Sequence, residues 1–156
     1  MSVAQPERII QCLSELQSNS DEACERALRS LTSLTKVNPQ NRTLLAQSNG
    51  AIPTFLALSK SSSPVIQMIS LAVLFNISLN PELKESLADM KTISQLNSII
   101  ASQVTSLESG RLAASLICSL AMLDKNKAKF GVAGTIQLLI AALSEPHDPA
   151  SHHLLS

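Results

Sequence analysis

The histidines are the side chains of this sequence best suited to acid–base or metal chemistry, and all three lie near its C-terminal end. His147 is followed directly by Asp148, and His152 and His153 complete an H-x-x-x-x-H-H pattern. Imidazoles with this spacing could approach one metal ion, but a solvated tail is the more common setting for such a cluster. No nucleophile, base and orienting acid can be placed together. The sequence therefore predicts a protein that is not an enzyme, with no catalytic residue, no metal site and no bound cofactor.

The three cysteines do not form a redox or zinc-binding framework. Cys12, Cys24 and Cys118 are odd in number, far apart in the sequence and embedded in apolar helical patterns. Free cysteines of this kind usually behave as small hydrophobic residues. We therefore expect all three to be buried.

The balance of charge argues against partners that are recognised by charge alone. Twelve basic and twelve acidic residues give a formal net charge of zero, so nothing attracts the chain as a whole to nucleic acid or to an anionic membrane. Lys125, Lys127 and Lys129 form a small basic run without aromatic neighbours, which is more typical of a solvated helix face than of a nucleic-acid site. No apolar run is long enough to span a membrane. We expect a cytoplasmic protein, with the nucleus as the alternative compartment.

The strongest pattern is an internal repeat of slightly more than forty residues. Four isoleucines that lie on similar helix faces are 43, 41 and 43 residues apart: Ile9, Ile52, Ile93 and Ile136. With 45% hydrophobic but only 2% aromatic residues, the core must be filled by Leu, Ile, Val and Ala, which suits close packing of helices. A period of this length with three helices per unit is typical of an α-solenoid, in which each unit buries its apolar face on the next. The predicted fold class is all-α.

Turn and capping residues divide each unit into helices. Pro53 and Pro64 lie in first turns, where a helix tolerates proline, and Ser63 can cap the helix that follows it. Gly50 suits a left-handed residue at a helix end, and Gly134 occupies the equivalent position later in the chain. The predicted helices cover 6–17, 21–36, a short helix from 38 to the turn at 49–50, a second helix from 52, a long helix 64–78, then 80–89, 92–102, 107–123 behind a cap at Thr105 or Ser106, 124–132 and 135–144.

These helices predict a single array over residues 1–156, with units at 5–37 (partial), 38–79, 80–123 and 124–156 (incomplete). A long helix is expected after residue 149 but is cut short, so we expect the chain to be a piece of a longer array. Ile136, Leu139, Ile140 and Leu143 would then form an apolar stripe without a packing partner. We expect this C-terminal edge to be the weakest part of the array, or to be covered by self-association with a second copy.

The amino-acid sequence of the central unit resembles an armadillo repeat. The resemblance rests on Asn41-Arg42-x-x-Leu-Ala, Gly50-Ala51-Ile52-Pro53, Gln67 and Leu74-Phe75-Asn76-Ile77-Ser78. The sequence of this unit is similar to the repeats in the armadillo arrays of plant U-box ubiquitin ligases. The resemblance implies a right-handed α-solenoid of about three armadillo repeats, with three helices in each. In such ligases the array recognises a partner or substrate, while a separate U-box recruits the ubiquitin-conjugating enzyme.

The same resemblance implies a concave groove lined by the long helices. The asparagine of the armadillo pattern falls on Asn76, with Ser33 and Ser119 as its counterparts in the neighbouring units. The positions one and two turns earlier complete the predicted groove: Arg29, Ala72 and Ser115, then Glu25, Met68 and Arg111. The Trp–Asn ladder of importin-α repeats is missing at five of its six positions here, so we do not expect a nuclear-import adaptor.

These observations predict a protein–protein interaction module that is not catalytic itself. Arg29 and Arg111 favour a partner segment with acidic or phosphorylated residues, because guanidinium groups form forked, charge-assisted bonds with such groups. Asn76 is expected to bind the backbone of that segment. The leading interpretation is the recognition array of a U-box-type ubiquitin ligase or a related protein. The alternative is an armadillo scaffold or adaptor in signalling, adhesion or transport, unrelated to ubiquitin.

Overall fold

The computed structural model describes residues 3–102, 106–132, 134, 135 and 137 of the chain. In this part of the chain the secondary structure is helical throughout, and no strand is formed. The helices are α1 (Pro6–Glu15), α2 (Asp21–Lys36), α3 (Pro39–Gln47), α4 (Ala51–Leu58), α5 (Pro64–Ser78), α6 (Pro81–Leu87), α7 (Met90–Ala101), α8 (Leu107–Ala121) and α9 (Asp124–Val132).

The long helices α2, α5 and α8 begin in the same way, at serines 43 residues apart. The hydroxyl oxygens of Ser20, Ser63 and Ser106 each accept a hydrogen bond from the backbone N–H three residues later, at 3.2, 3.3 and 3.2 Å. Each bond satisfies one of the amides that a helix leaves unpaired in its first turn. The predicted caps at Ser63 and Ser106 are confirmed, and Thr105 lies outside the described residues.

The two predicted glycine turns are also confirmed. Gly50 and Gly134 both have φ of 75°, the left-handed region that a residue with a Cβ adopts only at a cost. Gly50 ends the turn after α3 and places Ala51 at the start of α4. The chain therefore turns between α3 and α4 within residues 48–50, and α4 packs against α5.

The predicted boundary between α6 and α7 differs from the structure. The sequence places the short helix up to Asp89 and the next helix from Thr92, whereas α6 ends at Leu87 and α7 begins at Met90. The Asp89 carboxylate accepts a hydrogen bond from the backbone N–H of Thr92 at 2.7 Å. Asp89 therefore caps α7 from an extended conformation, and a residue that does so cannot also continue α6.

The core is built around α5, which packs between α2 and α8. Leu71, Leu74 and Ile77 of α5 are fully buried. The helices α1, α4 and α7 each pack against the long helix that follows them, α2, α5 and α8 respectively. α5 has apolar residues on nearly every side, and a helix of this kind is stable only with neighbours on several sides, as it has here.

A buried arginine closes the C-terminal end of α2. Arg42, in the short helix α3, donates from Nε to the carbonyl oxygen of Thr35 and from Nη2 to that of Lys36, both at 2.7 Å. Its Nη1 donates to Oδ1 of Asn80 at 3.1 Å. The last carbonyls of a helix have no partner within the helix, and a cation is favoured there by the helix dipole. Arg42 therefore fixes α3 to the end of α2.

The same position recurs at Lys84 and Asn126, each 42 residues further along the chain. Lys84 Nζ donates to the carbonyl oxygen of Ser78 at the end of α5, at 2.6 Å. Asn126 Nδ2 donates to that of Leu120 at the end of α8, at 2.8 Å. We call Arg42, Lys84 and Asn126 the buried polar ladder. It joins each short helix to the end of the long helix before it.

The predicted helix 135–144 is described only in part. Thr135 and Gln137 are helical, and Thr135 Oγ1 donates to Oδ1 of Asn97 at 2.8 Å. The predictions about the apolar C-terminal stripe and about the histidine cluster concern residues that lie outside the described ones. They stay predictions.

Candidate functional site

The nine predicted groove residues lie on the three long helices at equivalent positions. Three come from each of α2, α5 and α8, and the helices are packed side by side. All except Asn76 and Ser119 are exposed or half-buried. The structure thus places a mostly solvent-accessible row of side chains across neighbouring helices, and the role of these residues as a binding groove stays a prediction.

At the α2 end of the row, the positive charge of Arg29 is paired with the negative charge of Glu25. Arg29 donates from Nη2 to Oε1 of Glu25 at 2.9 Å, and its Nε lies 3.3 Å from the same oxygen. The side chains are 58% and 38% exposed, and an exposed pair of this kind adds little stability. Arg29 is therefore held in place only by a weak, solvent-exposed contact.

Asn76 is less available to a partner than the sequence predicts. Its Nδ2 donates to the carbonyl oxygen of Thr32 and to Oγ1 of Thr35, both at 3.2 Å. Both residues belong to α2, so the amide nitrogen ties α5 to the neighbouring long helix. A side-chain amide nitrogen has only two hydrogens, and both are used within the protein. The nitrogen therefore cannot also donate to the backbone of a partner, and this differs from the predicted role of Asn76.

Ser119 plays the equivalent part between α8 and α5. Its hydroxyl oxygen lies 2.7 Å from Oγ of Ser78 and 2.9 Å from Nζ of Lys84. The apolar periodicity of the sequence gives no sign of these contacts, although the spacing does. Asn76 and Thr35 are 41 residues apart, and so are Ser119 and Ser78. Polar pairs at a constant offset just below the repeat period are the signal that could have revealed them.

Lys84 carries a buried charge beside the α8 end of the row. The residue is 8% exposed, and its Nζ donates to the carbonyl oxygens of Ser78 and Ser119 as well as to the Ser119 hydroxyl. Burial lowers the pKa of the Lys84 ammonium from its ordinary value, because removing a charge from water disfavours the charged form. No carboxylate in the described part of the chain forms an ion pair with it.

A hollow opens between α5 and α8 next to this lysine, with a volume of about 760 Å³. We call it the α5–α8 hollow. It contains three of the predicted groove residues, Arg111, Ser115 and Ser119. The rest of its lining is mainly apolar and comprises Phe75, Leu79, Pro81, Lys84, Ala114, Cys118 and Met122. Arg29 and Ser33 line a separate, more polar hollow with Arg8 of α1, so the structure does not bring the two groove arginines into one cavity.

The expectation that all three cysteines are buried is wrong for Cys118. Cys12 and Cys24 are buried, whereas Cys118 is exposed on the wall of the α5–α8 hollow. Burial raises the pKa of the Cys12 and Cys24 thiols. The helical spacing of Cys118 misled the prediction, because Cys118 lies with Arg111 and Ser115 on the side of α8 that faces the solvent.

Within the described residues, no group of histidine, cysteine, aspartate and glutamate side chains could hold a metal ion. Lys125 and Lys127 are exposed and pair with Glu85 and Asp124 at 3.7 and 3.0 Å, as expected for a solvated helix face. No helix in the described part of the chain has the length and apolarity needed to cross a membrane.

The comparisons with known proteins agree with this geometry. Residues 7–110 match the model of the Armadillo-like family. The crystal structure of an engineered protein from a structural genomics consortium superimposes with a TM-score of 0.80 at 17% sequence identity. That alignment covers 94% of this chain but only 60% of the engineered one, and at this identity it shows the fold alone. No curated protein matches the chain. The all-α solenoid predicted from the repeat is thus confirmed, and the chain is a member of the Armadillo-like family.

Proposed function

We propose that the chain is a non-catalytic recognition module that binds an extended segment of a partner protein across α2, α5 and α8. The observation that carries the proposal is the row of accessible side chains at equivalent positions of three stacked helices. Equivalent positions recur at a regular interval across such a stack, so a row of this kind suits an extended chain that crosses it. An armadillo-like fold is itself typical of protein-interaction modules.

The chemistry of the row favours a segment with acidic or phosphorylated residues. Arg29 lies on α2 and Arg111 on α8, and both guanidinium groups are exposed. Met68 and Ala72 lie between them on α5 and are half-buried, which leaves an adaptable apolar surface. Asn76 contributes mainly by holding α5 against α2, and only its carbonyl oxygen is left to accept from a partner.

We further propose that the partner is a substrate or regulator of ubiquitination, with the module acting in the cytoplasm or nucleus. This finer assignment is supported by the wording of the central unit, Asn41-Arg42 through Gly50-Ala51-Ile52-Pro53 to Asn76-Ile77-Ser78, which resembles the arrays of plant U-box ligases. On this proposal the U-box is supplied by another segment or another protein.

Affinity capture from a lysate of the source cell tests the binding proposal. The bait is the wild-type chain or the Arg29→Gln/Arg111→Gln variant, and a Ser62→Ala variant is the matched control, because Ser62 is exposed outside the row. Proteins that bind through the row should be captured by the wild type and the control and be depleted on the double variant. Equal capture by all three baits would contradict the proposed row.

A ubiquitin-transfer assay tests the ligase assignment separately. The captured partner is incubated with ubiquitin, activating and conjugating enzymes and this chain, with or without a fused U-box. We expect transfer to the partner only with the fused U-box, and less of it when the row is altered. Transfer by this chain alone would refute its non-catalytic role, and no transfer with the U-box would favour the scaffold alternative.

A further inference from the structure

The α5–α8 hollow combines two cations with apolar walls, and none of the described residues that line it is acidic. Arg111 is exposed and forms no ion pair with any described residue. Lys84 is the second cation of the lining, although its three N–H donors are already used within the protein. The nearest described ion pair joins Glu85 to Lys125 and lies outside the lining. The charged residues described in this lining are therefore both cations, in a chain with no formal net charge.

The apolar part of the hollow is more accessible than apolar side chains usually are. Leu79 is 40% and Met122 is 76% exposed, and the two residues occupy equivalent positions at the ends of α5 and α8. Phe75 and Cys118 lie one turn earlier on the same helices and are half-buried and exposed. Together they line one hollow with Arg111, which has no ion pair among the described residues, and accessible apolar surface of this kind commonly marks a binding site.

From this combination we infer that the α5–α8 hollow is a specificity pocket for a partner segment that carries a large apolar residue close to an acidic one. The apolar side chain packs against Phe75, Leu79 and Met122, and the carboxylate binds Arg111. This inference rests on the proposed function, because it assigns one part of the same row, and it names the sequence feature that the partner must have.

The geometry of α8 limits the distance between the two partner residues. Arg111 and Met122 mark the two ends of the lining on α8, and their separation of eleven residues corresponds to roughly 16 Å along the helix axis. An extended peptide advances roughly 3.3 Å per residue, so a segment that satisfies both ends of the hollow separates its two side chains by about five residues or fewer. The reach of the flexible Arg111 side chain allows the shorter spacings.

The polar hollow beside α2 does not offer the same combination. Arg8 and Arg29 line it, but Arg29 is already paired with Glu25, and the other lining residues are mainly polar. A segment recognised there would need an anion but no large apolar neighbour. The two arginines of the row are therefore expected to recognise different features, and the apolar requirement belongs to Arg111 alone.

Selection of displayed random peptides on the full chain tests the pocket without a known partner. We expect the selected peptides to share a large apolar residue within about five positions of Asp or Glu. Arg111→Gln should weaken their binding about tenfold, because a charge-assisted hydrogen bond is lost. Arg26→Gln changes an exposed arginine of α2 that lies outside the row, so it is the matched control and should leave binding unchanged. Arg29→Gln is measured beside it to show whether a peptide also depends on the α2 end of the row. All three arginines are exposed, so unchanged melting temperatures should confirm that the variants fold.

The exposed thiol of Cys118 provides a second, direct readout in the wild-type chain. Iodoacetamide should modify Cys118 faster than the buried Cys12 and Cys24, and mass spectrometry can follow each site. Binding of a selected peptide should slow the modification of Cys118, and peptides with Ser in place of the apolar residue or Gln in place of the acid should not.

Three results would overturn the pocket: selected peptides without the acidic and apolar pair, binding that is insensitive to Arg111→Gln, or peptide binding that leaves Cys118 equally reactive. Peptides that depend on Arg29 but do not protect Cys118 would refute the pocket while supporting the proposed row. An absence of any selected peptide would also refute the pocket, whereas the proposed function would still stand or fall by capture of the cellular partner.

Discussion

Arg42 and Arg29 carry the same guanidinium group in opposite environments. Arg42 is 9% exposed and donates to two helix-end carbonyls and to Asn80, whereas Arg29 makes one exposed ion pair. A buried acceptor that loses its partner keeps the cost of desolvation, whereas an exposed one is solvated by water. The environment, and not the residue type, therefore decides which arginine stabilises the fold and which stays exposed on the surface.

This contrast predicts different effects of the same substitution. Arg42→Ala should lower the free energy of unfolding by about 2–4 kcal/mol, because it leaves the carbonyls at the end of α2 buried without donors. Arg29→Ala should lower it by less than about 1 kcal/mol. Urea unfolding followed by circular dichroism measures both values. Equal losses for the two variants would show that the buried polar ladder does not hold α3 against α2.

Lys84 predicts a pH dependence of stability at the same scale. Its pKa is lowered from 10.5 in the folded chain, so between the lowered value and 10.5 the unfolded chain binds more protons at this group. Stability should therefore rise with pH in that window, because the penalty for burying the charge is fully present below the folded pKa and is lost as the pH approaches 10.5. The raised pKa values of Cys12 and Cys24 act in the opposite direction above 9.0.

Lys84→Met isolates the contribution of the lysine. The cysteine contributions are the same in both proteins, so they cancel when the free energies of unfolding are compared at each pH. The wild type should gain stability relative to Lys84→Met as the pH rises toward 10.5. Parallel pH profiles would mean that the Lys84 ammonium is solvated as well in the folded chain as in the unfolded one.

At the scale of the helices, substitution by alanine should have opposite effects on stability at two glycines. Gly50 has φ of 75° and has no heavy atom within 4 Å of the place where a Cβ would lie. Gly50→Ala should therefore cost about 1–2 kcal/mol through backbone strain alone. Gly110 lies within α8 with equally open surroundings, so Gly110→Ala should stabilise the chain by about 0.5–1 kcal/mol. Melting temperatures that move in the same direction for both variants would contradict this account.

The sequence predicts helices well where local chemistry determines them. Ser63, Gly50 and the apolar run of α5 act through neighbours only a few residues away, and the predicted start of α5 and turn at Gly50 are correct. The start of α7 was missed because Asp89 can end one helix or cap the next, and the choice depends on packing. Cys118 was misplaced for a related reason, since spacing alone does not tell which side of a helix faces the solvent.

The candidate site was only partly predictable because its polar residues divide between two roles. Arg111 and Ser115 are exposed as expected, whereas Asn76 and Ser119 bind across the stack. The buried polar ladder escaped notice because an arginine, a lysine and an asparagine fill equivalent positions. What recurs is a hydrogen-bond donor directed at the carbonyls of a helix end. Different polar residue types can perform this function, so the position shows no repeated residue in the sequence.

At the scale of the whole molecule, contacts in the described chain run from each long helix to the next. α5 packs against both α2 and α8, whereas α2 and α8 are separated by it. The stability of such an array is approximately a sum of the stabilities of its units and of the interfaces between neighbours. A disturbance at one end should therefore weaken along the stack, in contrast to a globular domain with one shared core.

Two matched substitutions at opposite ends test this. Leu28 in α2 and Leu116 in α8 are both almost fully buried, and each change to alanine should cost about 2–5 kcal/mol. In native-state hydrogen exchange, Leu28→Ala should accelerate exchange most in α1 and α2, and Leu116→Ala most in α7, α8 and α9. Exchange in α5 should respond to both, because it shares an interface with each end. If either variant accelerated exchange uniformly over all nine described helices, the array would unfold as a single unit, and the coupling between its ends would have to pass through α5 undiminished.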